Sequence, residues 1–239
     1  MESRFSGTSV LIAGGTGGLG QDVSFAFLEE GANVTVTYRK QEGFSALKKA
    51  AGECASRLSG HELDVTDESA VRSLIERILA EHGRLDILVN AVGAYAGGLK
   101  LWETKPDVFE AMLALNLRSG YVLSMVAVPA MLKQKKGSIV NIASKAAFEH
   151  AAGATAYAAS KAAALAMMDS LAEDLRGTGV RVNSVLPSII DTEENRRAMP
   201  KADFAKWPKA EEIAKVVLFL CSEDAHVIHG AAIPVYGNL

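Results

Sequence analysis

The chain has 239 residues, 49% of them hydrophobic, and a formal net charge of -3 at pH 7. That length and apolar content allow one large core without disulfides or structural metals, and the faintly acidic balance excludes the basic field that draws proteins onto nucleic acid. Cys54 and Cys221 form neither a CxxC pair nor a metal-ligand spacing, so both are expected as reduced thiols.

Thr8–Ala13 (TSVLIA) reads as a buried strand, followed by a helix over Gly18–Glu30 that Gly31 closes. Asn33–Tyr38, rich in β-branched residues, is the second strand, and a helix over Glu42–Ala51 follows. Val71, Leu74, Ile75, Ile78 and Leu79 recur at the helical period; Thr66 is placed to cap that helix, Asp67 and Glu68 occupy its first turn, and Gly83 follows its end. Asp86–Val89 is a further strand. Pro106 sits where a first helical turn tolerates proline and opens a long helix to about Lys133. Strand Ser138–Ile142, helix Thr155–Arg176, strand Val180–Leu186, helix Ala210–Cys221 and a last strand near Ala231–Val235 complete the series.

Repeated alternation of apolar strands with helices predicts an α/β, Rossmann-type, doubly wound and mainly parallel sheet of about seven strands, flanked by helices. No internal repeat or linker divides the chain, so residues 1–239 are expected as one domain. Ser188–Lys209, between a strand and a helix, reads as a long irregular segment of the kind that serves substrates. No apolar leader with a basic flank is visible, and charges interrupt the apolar runs before the ~20 residues that span a bilayer. A soluble, cytoplasmic protein without membrane partners is expected.

Glycines 14, 15, 17, 18 and 20 crowd the turn from the first strand into the first helix. Glycine admits positive φ and close approach of a ligand, and a helix N-terminus offers free N–H groups to a pyrophosphate. The same glycines could merely build a tight turn. Their place after the first strand of an alternating chain favours a dinucleotide site. Tyr38, then Arg39 and Lys40, stands where such folds carry the acid that holds ribose hydroxyls and repels a 2′-phosphate. A guanidinium there can take a phosphate bidentately, so NADP(H) is the expected cofactor, with NAD possible if Arg39 and Lys40 are only solvated turn charges.

Tyr157 and Lys161 are four residues apart and share a helix face. A free phenol, with a pKa near ~10, is a reluctant acid. A neighbouring ammonium favours the phenolate and moves that value down. Ser144 lies just beyond a strand C-terminus, where open α/β sheets bind ligands, and its hydroxyl could donate to a substrate oxygen. Asn116 falls inside an otherwise good helix, where asparagine is a poor former.

The spacing Gly14-x-x-x-Gly18-x-Gly20, with Asn116, Ser144, Tyr157 and Lys161 in that order, resembles the short-chain dehydrogenase/reductase family, in particular its single-domain members such as 3-oxoacyl carrier-protein reductases. The resemblance extends from about Gly7 to Gly237. It implies an oxidoreductase interconverting a carbonyl and an alcohol, with Tyr157 as proton donor, Lys161 as its activator, Ser144 on the substrate oxygen, and Asn116 kinking its helix and holding a water that links Lys161 to solvent. It implies cofactor contacts from Gly14, Thr16, Gly18, Leu19 and Gly20, from Tyr38 and Arg39, and from Asp64 and Val65 at the adenine. It adds Asn90, Ala91 and Gly93, Tyr157 and Lys161 themselves, and Pro187, Ile190 and Thr192 around the carboxamide. Ala13, Val92 and Ser188 depart from the family's TGxxxGxG, NNAG and PG patterns.

Tyr95, Phe148 and His150 are implied as the pocket rim, and the segment carrying Glu193, Arg196, Arg197, Met199, Phe204 and Trp207 as its cover. A homotetramer is implied as well, with Pro106–Lys133 and Thr155–Arg176 pairing across one interface. The alternatives are a silent NADP-binding sensor or scaffold, a nucleotide-sugar epimerase and a methyltransferase. The epimerase would need TGxxGxxG spacing and an added domain, and the methyltransferase an acid where Tyr38 stands. Ser45-x-x-Lys48, His226 with His229, and the sequon at Asn33 read as incidental.

Overall fold

The computed structural model describes residues 3–238. Seven strands form a single sheet: β1 (Ser9–Ala13), β2 (Asn33–Tyr38), β3 (Leu58–Glu62), β4 (Ile87–Asn90), β5 (Gly137–Ile142), β6 (Val180–Pro187) and β7 (Ala232–Val235). Their order is 3-2-1-4-5-6-7 and every pairing is parallel. The order reverses between β1 and β4, which opens a crevice at the strand C-termini.

Among the described residues eight α-helices accompany the sheet: α1 (Gly18–Glu29), α2 (Gln41–Ala50), α3 (Glu68–His82), α4 (Pro106–Leu113), α5 (Ser119–Gln134), α6 (Thr155–Asp174), α7 (Glu193–Ala198) and α8 (Ala210–Cys221). Alternate strand residues feed two cores. Val10, Ile12, Val34 and Val36 meet Val23 and Phe27 of α1 and Ile213 and Val217 of α8. Leu11, Leu88, Ile139 and Val182 meet Val71 and Leu74 of α3 and Leu123 and Val126 of α5. Burial on both faces accounts for the continuous apolar reading of the strands.

Three expectations are corrected. Asp67, not Thr66, caps α3, its carboxylate accepting from the N–H groups of Ser69 and Ala70 at 2.8 and 3.2 Å. The helix expected over Pro106–Lys133 is broken by a π turn, Ala114–Arg118, into α4 and α5. Ser188–Lys209 is not irregular throughout. Thr192 caps α7, where Glu193 and Arg197 pair at 2.9 Å one turn apart, and a 3-10 turn follows at Phe204–Lys206. Pro106–Gln134 as a whole is long and apolar enough to cross a bilayer by length and composition alone, but Glu110, Arg118 and Lys133 interrupt it and half of its most apolar stretch is buried in the protein.

Candidate active site

Between β1 and α1, Gly14 has φ +76, open to glycine at little cost. A Cβ on Gly20 would collide with the Gly14 carbonyl, and one on Gly18 would lie 2.9 Å from Cγ2 of Thr192. The turn is therefore compressed against α1 on one side and against the segment after β6 on the other. The Gly14 N–H donates to Oγ1 of Thr37 at 3.0 Å, so the neighbouring strand supplies a hydroxyl next to Ala13. Thr37 was not anticipated; a threonine inside the buried run NVTVTY was the available signal.

A cleft of about 450 Å³ runs from this turn along the ends of β1–β4, lined among others by Gly14, Thr16, Tyr38, Arg39, Asp64, Val65, Ala91 and Gly93. Its open volume and the close-packed glycine turn fit a dinucleotide, whose diphosphate needs backbone rather than side chain beside it. At the outer end Arg39 does not point a free guanidinium at solvent. Its Nη1 is 2.7 Å from Oδ2 of Asp64. The Thr66 backbone N–H above all, together with Arg39, holds the Asp64 carboxyl down to about 2. With Glu42 also on the cleft wall, two carboxylates line this end although none directly follows β2.

At the inner end, Asn90 closes β4 and donates through Nδ2 to Oδ1 of Asn141 on β5 at 3.0 Å, which pins the two central strands. Asn116 lies buried in the π turn. Its Oδ1 accepts from the Ala94 N–H, and its Nδ2 donates to the Ala94 carbonyl and to Oγ of Ser160, each at 3.0 Å. One side chain thus joins the segment after β4 to α6. The wide turn is the kink that asparagine suggested, and such turns often mark functional positions.

Ser144, two residues past β5, accepts the Ala146 N–H at 3.1 Å and lies near enough to Tyr157 to act on its titration. Tyr95 meets the Tyr157 ring edge-on with centroids 5.0 Å apart. Burial raises the phenol pKa; the Ser144 hydroxyl opposes that rise and Tyr95 adds to it. The phenol of the free protein is thus not the acidified group that a nearby ammonium suggested. Lys161 is buried and donates Nζ to the Ile142 carbonyl at 2.9 Å, and burial lowers its own pKa to about 8. A Cβ on Gly93 would stand 2.9 Å from Oδ1 of Asn116 and 3.1 Å from Nζ of Lys161, which brings the middle of the cleft against both.

The remaining expected positions lie around this centre. Leu19 is buried in the first turn of α1, and Pro187 ends β6. The Ile190 carbonyl accepts from the Asn195 amide at 2.8 Å, and Oγ1 of Thr192 accepts the Asn195 N–H at 3.2 Å. Ser188 donates its hydroxyl to the Tyr236 carbonyl at 2.7 Å, which ties the segment to the end of β7. Tyr95 and Phe148 are exposed, as is His150. His229 bridges the Val182 N–H and the Ala172 carbonyl, a structural role.

A family model described as short chain dehydrogenase matches residues 8–203. The 3-oxoacyl-[acyl-carrier-protein] reductase of Thermotoga maritima is 32% identical over 99% of this chain and 99% of its own length. The meso-2,3-butanediol dehydrogenase of Serratia marcescens is 33% identical over 98% of this chain and 95% of its own. Among solved structures, ElxO with NADP bound superposes with a TM-score of 0.91 at 29% identity, covering 96% of this chain and 97% of that one.

Proposed function

The chain belongs to the short-chain dehydrogenase family, oxidoreductases acting between CH–OH and C=O groups, and from that premise we propose that Tyr157 is its acid–base and NADP(H) its preferred cofactor. The supporting observation is the convergence of Ser144, Tyr157, Lys161 and Asn116 beside the glycine-lined cleft. Gly14, Thr16, Gly18, Leu19 and Gly20 would hold the diphosphate, and Tyr38, Arg39, Asp64 and Val65 the adenosine. Asn90, Ala91 and Gly93 would line the middle, with Pro187, Ile190 and Thr192 at the carboxamide. Bound there, a nicotinamide supplies or accepts the hydride.

The side chains of the chain do the rest. The Tyr157 hydroxyl gives its proton to the carbonyl oxygen as negative charge develops, and Ser144 donates to the same oxygen. Lys161, protonated, favours the phenolate left behind. The network around Asn116 fixes the lysine-bearing helix against the segment after β4. Exposed Phe109, Tyr121 and Met125 on α4 and α5 support helix pairing between subunits, and a cytoplasmic homotetramer acting on a small-molecule carbonyl completes the reading.

The test is a panel of ketones and aldehydes followed by NADPH and NADH oxidation, with Tyr157→Phe beside the wild type. The variant is expected to bind NADPH within about threefold of wild type and to lose about 10³-fold or more in turnover. Retained turnover would remove Tyr157 from the chemistry. Binding without turnover of any carbonyl by the wild type would favour a silent sensor.

A further inference from the structure

Arg39 and Asp64 hold each other across the outer end of the cleft, Nη1 to Oδ2 at 2.7 Å. Asp64 is a fixed partner. Its other oxygen, Oδ1, accepts from both the backbone N–H and the hydroxyl of Thr66, at 2.9 and 2.7 Å. The charges along this wall are Arg39 and Lys40 against Asp64 and Glu42, so the region carries no net positive field. Tyr38 is occupied too, its hydroxyl donating to Oε1 of Gln41 at 2.5 Å and its ring stacked on Phe44.

A 2′-phosphate carries roughly two negative charges and recruits a guanidinium through paired N–H donors. A 2′-hydroxyl makes no such demand. An adenosine seated against this wall therefore meets Arg39 already engaged, and only the phosphorylated one gains by drawing it away. The carboxylate it leaves is acceptor-only and would repel the phosphate.

Resting on the dinucleotide reading above, we propose that Asp64 sets the balance between NADP(H) and NAD(H): it competes with the 2′-phosphate for Arg39, so the NAD(H) complex keeps the Arg39–Asp64 pair and the NADP(H) complex breaks it. Both side chains are partly exposed, which keeps the effect moderate.

The experiment measures dissociation constants by nucleotide fluorescence for NADPH and NADH, and by calorimetry for adenosine 2′,5′-bisphosphate and AMP, none of which requires turnover. Asp64→Asn is expected to shift the NADPH-to-NADH affinity ratio about fivefold towards NADPH, with the same shift between the two adenosine fragments. In an Arg39→Ala background the same substitution is expected to leave the ratio within about twofold. An equal change for both nucleotides, or a shift towards NADH, would overturn the proposal and leave the dinucleotide site standing. A wild-type protein that binds neither nucleotide would overturn both.

Discussion

Lys161 and Ile142 are joined by a 2.9 Å hydrogen bond from a buried ammonium to the last carbonyl of β5, and burial takes the lysine pKa from 10.5 to about 8. A base whose folded pKa lies below its unfolded value binds fewer protons when folded. Its cost is full below about pH 8 and relieved as pH rises towards about 10.5. The unliganded protein is thus expected to gain stability across that window, as read by urea midpoints. Lys161→Met is expected to melt higher than wild type at pH 7, by up to roughly 3 kcal/mol, while turnover is lost. A lower midpoint would show that the ammonium stabilises the fold.

Ser144 holds the Tyr157 pKa below the value that burial alone would give. Ser144→Ala should therefore raise it. Alcohol oxidation needs the phenolate, so its rising limb is expected to move to higher pH, while the fall of carbonyl reduction at high pH moves the same way. Turnover should drop about 10²-fold from loss of the donor to the substrate oxygen. An unmoved pH profile would separate the serine from the phenol.

Asn116→Ala removes the partner of the Ala94 N–H, the Ala94 carbonyl and the Ser160 hydroxyl together. Stranded buried groups of this kind cost about 2–3 kcal/mol. A matching drop in the denaturation midpoint, with a lower kcat, is expected. A neutral effect on both would mean that solvent replaces the amide.

The glycines are expected to divide by what they face. Gly93→Ala meets the ends of two side chains, Asn116 and Lys161. These can give way only by straining the hydrogen bonds that hold them, so stability should fall by about 1–3 kcal/mol while kcat falls at least about tenfold as Lys161 is displaced. Gly20→Ala meets the Gly14 backbone carbonyl, which cannot. It should lose nucleotide binding and melt markedly lower. Titration with NADPH and a thermal scan of both variants would decide.

Local signals told most of the story where one residue type has one physical use. Positions such as Gly14 and Pro106, and the strand apolar runs, led to the sheet and to the order of its helices. Competition between neighbours was harder to read. Thr66 and Asp67 both suit a cap; Asp67 takes it because the Thr66 hydroxyl turns back to Asp64. The short helix α7 is signalled by Thr192, Glu193 and Arg197, yet lies within Ser188–Lys209, which read as one irregular segment. Groups paired across strands, such as Thr37 with Gly14, Asn141 with Asn90 and Asp64 with Arg39, were out of reach because each needs the three-dimensional register.

The π turn at Ala114–Arg118 also constrains how this chain can change. A wide turn holds one residue more than an α-helical course, and each residue rotates the helix by about 100°. Because the wide turn absorbs that extra rotation, excising one residue there would return the course to α-helical and leave Leu123, Ala127 and Met131 facing the sheet, while closing the turn that seats Asn116. The irregularity therefore serves the seat of Asn116 and not the core, so a single deletion in this stretch should be carried by the fold better than by turnover.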